Sequence, residues 1–457
     1  MARQIVAGHF TFWKYLCMKT KATITLGLTL ILLIGFPSNS IATIKTGATC
    51  KKLGKSVKIG AKLHTCIKAG KKQVWDKGVE TAQKLEVSEL ASYRNIEQCK
   101  LQNRTNDSSV SQAFPLNPYR VKTTSIIDVL VFPIDFPDLI GTSNPLIDFD
   151  YITKGVTNYF EAMSDDQIMM NWTIYPKFVR LNENVSTLRL GGRTADGYED
   201  FSRKAFALAK ATTDVSKFEI ILYAPPKNTT RDQIAVGPAF IARQKEDVNA
   251  TMLDGQSYEV DKIGFTTAHE FGHLMGLADL YNFNAANESS NGGDRSIFEK
   301  QFRYMGIFDL MNYANGDANE LTSWNRWLIE LINDSQMRCL PERETLTLLT
   351  PMSSKGGVKG AVIPISDSEV IVMESRRSSR YDKKIGIKNE GLLIYRVDST
   401  IESGSGPMSV VRKKGSVDVW YRDSLLKINE ELIVQGYKIR VVGQSAEGDF
   451  VSVTKFS

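Results

Sequence analysis

Residues 266–279 form the stretch that decides the fold, TTAHEFGHLMGLAD. It contains HExxH, with histidines at positions 269 and 273, and continues as HxxGxxD to Asp279. Four residues advance an α-helix by about 400°, so His269 and His273 are predicted to lie one turn apart on one helix face, within reach of a single ion. Two imidazoles and one carboxylate suit zinc, with a fourth position left open for water. The stretch therefore predicts a zinc site formed by His269, His273 and Asp279.

A glycine and a glutamate within this stretch have predicted roles of their own. Gly276 lets the helix stop in a left-handed conformation, after which the chain swings Asp279 back to the metal. Glu270 is placed to act as general base towards a metal-activated water, so the predicted activity is that of a zinc-dependent endopeptidase. HExxH arises by chance in a chain of this composition with odds of roughly 2 in 1000, so the longer motif is a strong signal.

Other interpretations of these residues stay open from the sequence. Glu270 also fits a helix capping box that begins at Thr267. Asp279 could be an ordinary turn residue, with Glu288 or Glu299 as the third ligand. The alternative function is a catalytically inactive binding protein on the same scaffold, acting at the cell surface, although the intact Glu270 argues against it.

The regions on either side of the motif differ in their periodicity. Upstream, buried-strand patterns at 126–132 and 218–223 alternate with helix-like stretches at 151–163 and 200–211. Downstream, the chain has short β-type runs at 345–349, 361–365, 370–373, 392–397, 417–421 and 432–442. We therefore expect a catalytic domain over 125–340 and a β-rich, β-sandwich-like domain over 341–457. Carbohydrate binding by that second domain is a further interpretation.

The N-terminal 42 residues have the composition of a secretory signal peptide. They contain four basic residues, no acidic residue and an apolar run at 24–36 that is too short to cross a bilayer comfortably. We expect cleavage after Ala42, with Met18 as an alternative start of translation and an uncleaved anchor as the alternative interpretation. The mature protein is predicted to be secreted, without a stable membrane span.

The next segment, 43–100, is a basic module with thirteen basic residues against five acidic ones. We hypothesise that its lysines attach the protein to anionic cell-wall polymer. A solvated lysine face and a removable pro-segment are the alternatives. The rest of the chain is mildly acidic, and no nucleic-acid partner is expected. Residues 101–124 are polar and are predicted to be a linker.

Four of the five cysteines remain after signal cleavage, in a compartment where disulfides persist. Three pairings are open. We favour Cys50 with Cys66, since both lie in one short module, and this leaves Cys99 to pair with Cys339. Short β-type runs at 56–59, 63–67 and 73–75 predict a small meander around the first pair.

The extended motif resembles that of a metzincin with Asp in place of the third histidine, and it is more closely similar to the immune inhibitor A family of secreted bacterial metallopeptidases. The resemblance implies an α+β zincin-like (metzincin-type) catalytic domain, a zinc cofactor and protein or peptide substrates. Calcium is a second candidate ion, with no ligands that we can assign. Segments in the expected order also resemble the family, at 129–138, 156–160, 306–312, 321–325, 372–376 and 391–398.

Two more site residues follow from this resemblance. Within GIFDLMN at 306–312, Met311 is expected to form the hydrophobic floor beneath the metal, with an ordinary core methionine as the alternative. Tyr313 matches the M-x-Y part of the turn in related peptidases, where a tyrosine can hydrogen-bond the developing oxyanion. An ordinary, partly buried tyrosine is the alternative there. The basic module is not part of the family pattern.

Overall fold

The structure is a computed structural model. It describes residues 45, 47–52, 56–59, 62–69, 72–75, 79–80, 93–106, 110–123, 126–191, 195–230, 232–234, 249–252, 264–286, 297–314 and 319–456. The signal peptide predicted over 1–42 lies outside these residues. The chain divides into two compact units, residues 1–59 with 64–78 and residues 60–63 with 79–457. Within the described ranges, no helix has the length and apolar character needed to cross a membrane.

The N-terminal part contains short strands and one disulfide. The strands are β1 (Ser56–Ile59), β2 (Lys62–Ala69), β3 (Lys72–Trp75) and β4 (Val79–Glu80). Strands β2 and β3 are antiparallel, and Cys50 is bonded to Cys66 with their Cα atoms 5.8 Å apart. This is the pairing favoured from the sequence, and the three short runs predicted around it are strands.

A parallel sheet forms the centre of the larger unit. Its strands are β5 (Ile126–Asp135), β6 (Met169–Ile174), β7 (Val179–Arg180), β8 (Ile220–Ala224) and β9 (Asn249–Met252), in the order β6-β5-β8-β9, with β7 beside the end of β5. The helices of this unit are α1 (Pro145–Asp148), α2 (Asp150–Met163), α3 (Val185–Leu188), α4 (Ala195–Thr212), α5 (Phe265–Leu274), α6 (Ile297–Gln301) and α7 (Ser323–Leu328).

Strand β5 is buried on both faces, which explains its nearly continuous apolar sequence. Val129 and Val131 belong to the core that contains α2 and α5. Leu130 and Phe132 belong to a second core, which contains α4. The sheet thus separates two layers of helices, and α5, which carries the histidine motif, packs on one face of it.

Two further sheets occupy the C-terminal part. One contains β10 (Met337–Cys339), β12 (Gly360–Pro364), β13 (Glu369–Arg376), β14 (Gly391–Asp398) and β15 (Met408–Val410). The other contains β11 (Thr345–Leu349), β16 (Glu431–Val434), β17 (Tyr437–Ser445) and β18 (Gly448–Lys455). Ile371 shares a core with Ile439 of the second sheet, whereas its neighbour Val372 belongs to the core of α2 and α5. The chain is therefore a mixed α/β protein with several sheets.

Buried charges join the start of α7 to strand β13. Arg376 lies 2.5 Å from Glu374 and 2.7 Å from Asp382, and all three side chains are almost fully buried. Glu374 also accepts a hydrogen bond of 2.6 Å from the main-chain N–H of Ser323, at the first residue of α7. Ion pairs and a hydrogen bond, in addition to apolar contacts, therefore hold the five-stranded sheet against the helices.

Residues 101–124, predicted to be a linker, are instead packed into the larger unit over much of their length. Leu101, Ala113 and Val121 are buried. The main-chain N–H of Val121 donates to the carbonyl oxygen of Leu274, at the end of α5, over 2.8 Å. Apolar anchors among the polar residues, rather than the average polarity, determine how this stretch packs. Cys99 is bonded to Cys339, as the sequence suggested by elimination.

The predicted β-runs near the C-terminus need two corrections. Residues 417–421 are not a strand, because the carboxylate of Asp423 accepts the main-chain N–H groups of Val417 and Asp418 and bends the chain away from any ladder. The run at 432–442 is not one strand but the hairpin β16–β17, which turns at Gln435 and Gly436, both with positive φ. Strands β4, β6, β7, β9, β10, β15 and β18 were not predicted.

Candidate metal centre

Helix α5 positions the two histidines. It begins at Phe265, after Gly264 with a φ of +83°, and ends at Leu274. His269 and His273 lie one turn apart on this helix, as predicted, with ring centroids 4.8 Å apart and ring planes nearly perpendicular. Both side chains are buried.

The chain reverses direction after the helix and brings Asp279 back to the histidines. Gly276 has a φ of +103°, a conformation that favours glycine, in agreement with its predicted role. The Oδ1 atom of Asp279 lies 3.1 Å from Nε2 of His269 and 3.3 Å from Nε2 of His273. Within the described residues, these side chains are the single group of three or more His, Cys, Asp or Glu that could hold a metal ion.

Main-chain carbonyl groups determine which ring nitrogen of each histidine faces Asp279. Nδ1 of His269 lies 3.0 Å from the carbonyl oxygen of Leu310, and Nδ1 of His273 lies 2.8 Å from that of Leu277. A carbonyl oxygen only accepts, so Nδ1 is the donor and the neutral ring carries its lone pair on Nε2. Both lone pairs therefore point to the carboxylate, as in metal-binding histidines whose other ring nitrogen is held by a carbonyl group.

The donor set fits zinc. Oδ1 of Asp279 has no hydrogen-bond partner in the described part of the chain, although it is buried beside two ring nitrogens. Three electron-rich atoms at this spacing repel one another unless a cation lies between them. Ligand atoms about 2.0–2.1 Å from a tetrahedral zinc lie about 3.3 Å from each other, close to the 3.1 Å and 3.3 Å that separate Oδ1 of Asp279 from the two imidazole nitrogens.

The electrostatics of the group point the same way. Burial opposes the protonated form of His273, but the Asp279 carboxylate outweighs that effect and raises the pKa of His273 to about 9. Burial also opposes the charged form of Asp279, yet imidazole rings that carry a proton on Nε2, first of all His273, hold the pKa of Asp279 well below its usual range. The pocket is thus arranged to hold a positive charge between these side chains.

The turn that contains Met311 lies directly against the metal-site helix. A Cβ atom on Gly272 would lie 2.5 Å from the Met311 sulfur, so any larger residue there would require the methionine side chain to shift. Met311 is fully buried, and its carbonyl oxygen accepts the N–H of Leu280 over 3.1 Å. The floor role expected of Met311 stays a prediction, and Gly272 is a residue of this region that the sequence did not indicate.

Asp309 stabilises the turn that contains Met311, and the sequence did not indicate this role. Its backbone has a φ of +75°, and its buried carboxylate accepts hydrogen bonds from the N–H of Met311, both donors of Thr322 and the amide of Asn325. Burial raises the pKa of Asp309 despite these bonds. An aspartate two residues before the methionine, followed by Thr and Asn at the next helix start, was the signal that could have identified it.

Glu270 is buried on α5 and directly follows His269 in the sequence. Burial and Asp279 have the larger effects on the pKa of His273, and the Glu270 carboxylate raises that pKa further. The capping-box interpretation is wrong, because it requires Thr267 to be the N-cap residue, whereas the N-cap of α5 is Gly264 and Thr267 lies inside the helix.

Two tyrosines of this region differ in their ring contacts. Tyr313 packs against Phe302 and Trp420, with ring centroids 4.9 Å and 5.2 Å away. Tyr281 lies two residues after Asp279. The centroid of its ring is 6.2 Å from the centroid of the His269 ring. The oxyanion role predicted for Tyr313 stays a prediction.

One of the other two candidate ligands is described, and it is outside the group. Glu299 is described on α6 and lies outside the set formed by the histidines and Asp279. Glu288 lies outside the described residues.

Comparison with solved structures finds several matching chains, and the one described here is distantly similar. No family model and no curated protein matches the chain. A solved structure described as metalloproteinase-II from Bacteroides fragilis is similar at 13% sequence identity and a TM-score of 0.26, over 61% of this chain and 78% of that chain. The functional conclusion therefore rests on the geometry of the site.

Proposed function

We propose that this protein is a secreted zinc-dependent endopeptidase with a zincin-type catalytic region. The observation that carries the proposal is the convergence of His269 Nε2, His273 Nε2 and Asp279 Oδ1, with both Nδ1 atoms held by carbonyl groups. A zinc ion at this position would supply a Lewis acid that polarises a scissile carbonyl group and makes a water molecule more acidic.

Residues of the chain would bind the ion and transfer the proton. His269, His273 and Asp279 would hold the ion and, as three ligands, leave one position open. Glu270, next to His269 on the same helix, would accept the proton of the attacking water and pass it to the leaving amine. Met311 keeps solvent from the underside of the helix, and Gly276 allows the reversal that brings Asp279 into place.

Secretion is supported by the two disulfides, which persist in oxidising compartments. In the basic module, Lys45, Lys51, Lys52, Lys68 and Lys72 are exposed, which favours attachment to an anionic wall polymer. Lys100 is instead ion-paired with Glu97 and Asp334. Retention on isolated cell walls should fall as salt is raised to about 0.5 M, where screening is strong. Retention that is indifferent to salt would contradict this attachment.

The decisive experiment compares zinc content and casein cleavage for the wild type, Glu270→Ala and Glu299→Ala, each with a chelator control. Glu299 is a matched control because it is a partly buried glutamate outside the metal group. We expect all three proteins to bind one zinc and only Glu270→Ala to lose cleavage, by about 100-fold or more. A wild type without bound zinc, or an equally active Glu270→Ala variant, would overturn the proposal.

A further inference from the structure

The third metal ligand is held in place by a loop from the C-terminal sheet. Residues 399–407 connect β14 to β15. The main-chain N–H of Asp279 donates to the Ser403 hydroxyl over 2.9 Å, and the N–H of Gly404 donates to the carbonyl oxygen of Asp279, also over 2.9 Å. Both main-chain groups of Asp279 are therefore bound by two consecutive residues that lie more than 120 positions away.

The same loop continues along the segment that follows Asp279. The N–H of Phe283 donates to the carbonyl oxygen of Gly404 over 2.9 Å. Gly404 has a φ of +74°, and a Cβ atom there would lie 2.1 Å from the Phe283 ring. Position 404 thus requires glycine for both its backbone conformation and this close approach.

Hydrogen bonds also hold the two ends of the loop together. Asp398, the last residue of β14, accepts hydrogen bonds from the main-chain N–H and the hydroxyl of Thr400. The N–H of Asp398 donates to the carbonyl oxygen of Pro407 over 2.9 Å, which closes the loop at its two ends. A closed loop on a sheet edge is a stiffer support for a ligand than the turn after α5 would be alone.

We infer that Ser403 and Gly404 are positioning residues for the metal, because they hold the Asp279 backbone where its carboxylate meets the two histidines. The inference rests on the proposed function. Outer contacts that orient a ligand typically change metal affinity by about 10- to 100-fold when they are removed. The C-terminal sheets would therefore contribute to the metal site itself, in addition to packing against the catalytic region.

The test measures zinc affinity by competition with a chelator in the full chain, for the wild type, Ser403→Ala, Ser403→Thr and Ser405→Ala. Ser405 is a matched control because it is the next serine in the loop and is exposed. We expect Ser403→Ala to weaken zinc binding by about 10-fold or more, Ser403→Thr to restore it, and Ser405→Ala to leave it unchanged. The visible absorption of the cobalt-substituted proteins should change in Ser403→Ala alone, while the melting temperature of the metal-free forms stays the same.

Each outcome separates the two proposals. Wild-type zinc affinity in Ser403→Ala and in Gly404→Ala, with an unchanged cobalt spectrum, would overturn the inference and leave the proposed function standing. Equal losses in Ser403→Ala and Ser405→Ala would also overturn it, since the effect would not depend on the bond to Asp279. A wild type that binds no zinc would remove the proposed function, and the inference with it.

Discussion

The Nδ1 atom of His269 lies 3.0 Å from the carbonyl oxygen of Leu310, which is 41 positions further along the chain. This bond joins the metal-site helix to the turn that carries Met311, and it directs Nε2 towards Asp279. The orientation of the His269 ring is therefore set by a residue outside the motif, and under the proposed function metal binding would be coupled to the packing of that turn.

Zinc removal should lower the stability of the protein. Because the ion binds only the assembled site, zinc at about 1000 times its dissociation constant stabilises the fold by about 4 kcal/mol. We expect chelation to lower the melting temperature of the wild type and to have no such effect on His269→Ala. Thermal melting with and without zinc measures this, and His64→Ala, which changes a histidine of the N-terminal module, should keep the wild-type shift. A zinc-dependent shift that persists in His269→Ala would contradict the assigned ligand.

A side chain at position 272 should collide with Met311. The Cβ atom of Gly272→Ala would lie 2.5 Å from the Met311 sulfur, and such overpacking costs about 1–3 kcal/mol. Met311→Ala leaves a cavity at the same place, so the double variant should lose less than the sum of the two single variants. Urea unfolding of all four proteins gives the coupling energy. Strictly additive losses would show that the two residues do not touch.

The stability of the fold should depend on the charge of Lys359. Burial lowers the pKa of Lys359 from 10.5 to about 8, although its ammonium donates to the carbonyl oxygen of Pro351 over 3.0 Å. The folded state holds this proton more weakly than the unfolded chain does. The contribution of Lys359 to the free energy of unfolding is therefore fully present above pH 10.5, and it is lost as the pH falls through about 8.

The wild type should accordingly gain stability relative to Lys359→Met as the pH rises from about 7 to 10, by up to about 3 kcal/mol. Unfolding free energies at a series of pH values measure this difference. Lys355→Met is the control, because Lys355 is exposed, and its difference from the wild type should stay flat. A flat curve for Lys359→Met as well would show that this ammonium is hydrated in the folded state.

Substitution of Arg376 should strongly destabilise the fold. Its guanidinium neutralises Glu374 and Asp382 in a site without solvent, so Arg376→Met leaves two buried carboxylates unpaired and should cost about 3–5 kcal/mol. Chemical denaturation measures the loss. Arg203→Met removes an exposed ion pair with Asp200 and should cost less than about 0.5 kcal/mol. Equal costs for the two variants would argue against the buried network.

Local patterns in the sequence allowed much of this architecture to be predicted. The apolar run at 126–132 identified β5, and the apolar periodicity at 151–163 identified α2 to within one residue. The hairpin β16–β17 was missed because its turn residues lie inside a run with strand-like side chains. The path of residues 101–124 was missed because average polarity does not show which few apolar residues become buried.

The sequence by itself determined the helical spacing of His269 and His273, and the glycine at 276 that lets the chain reverse towards Asp279. These depend on neighbours a few residues apart, for which helix geometry is a sufficient guide. Only the tertiary structure decided that Leu310 orients His269, that Asp309 holds the Met311 turn, and that Ser403 and Gly404 bind the Asp279 backbone. Contacts between residues so far apart in the chain have no fixed spacing, since they form only when the sheets and helices pack together.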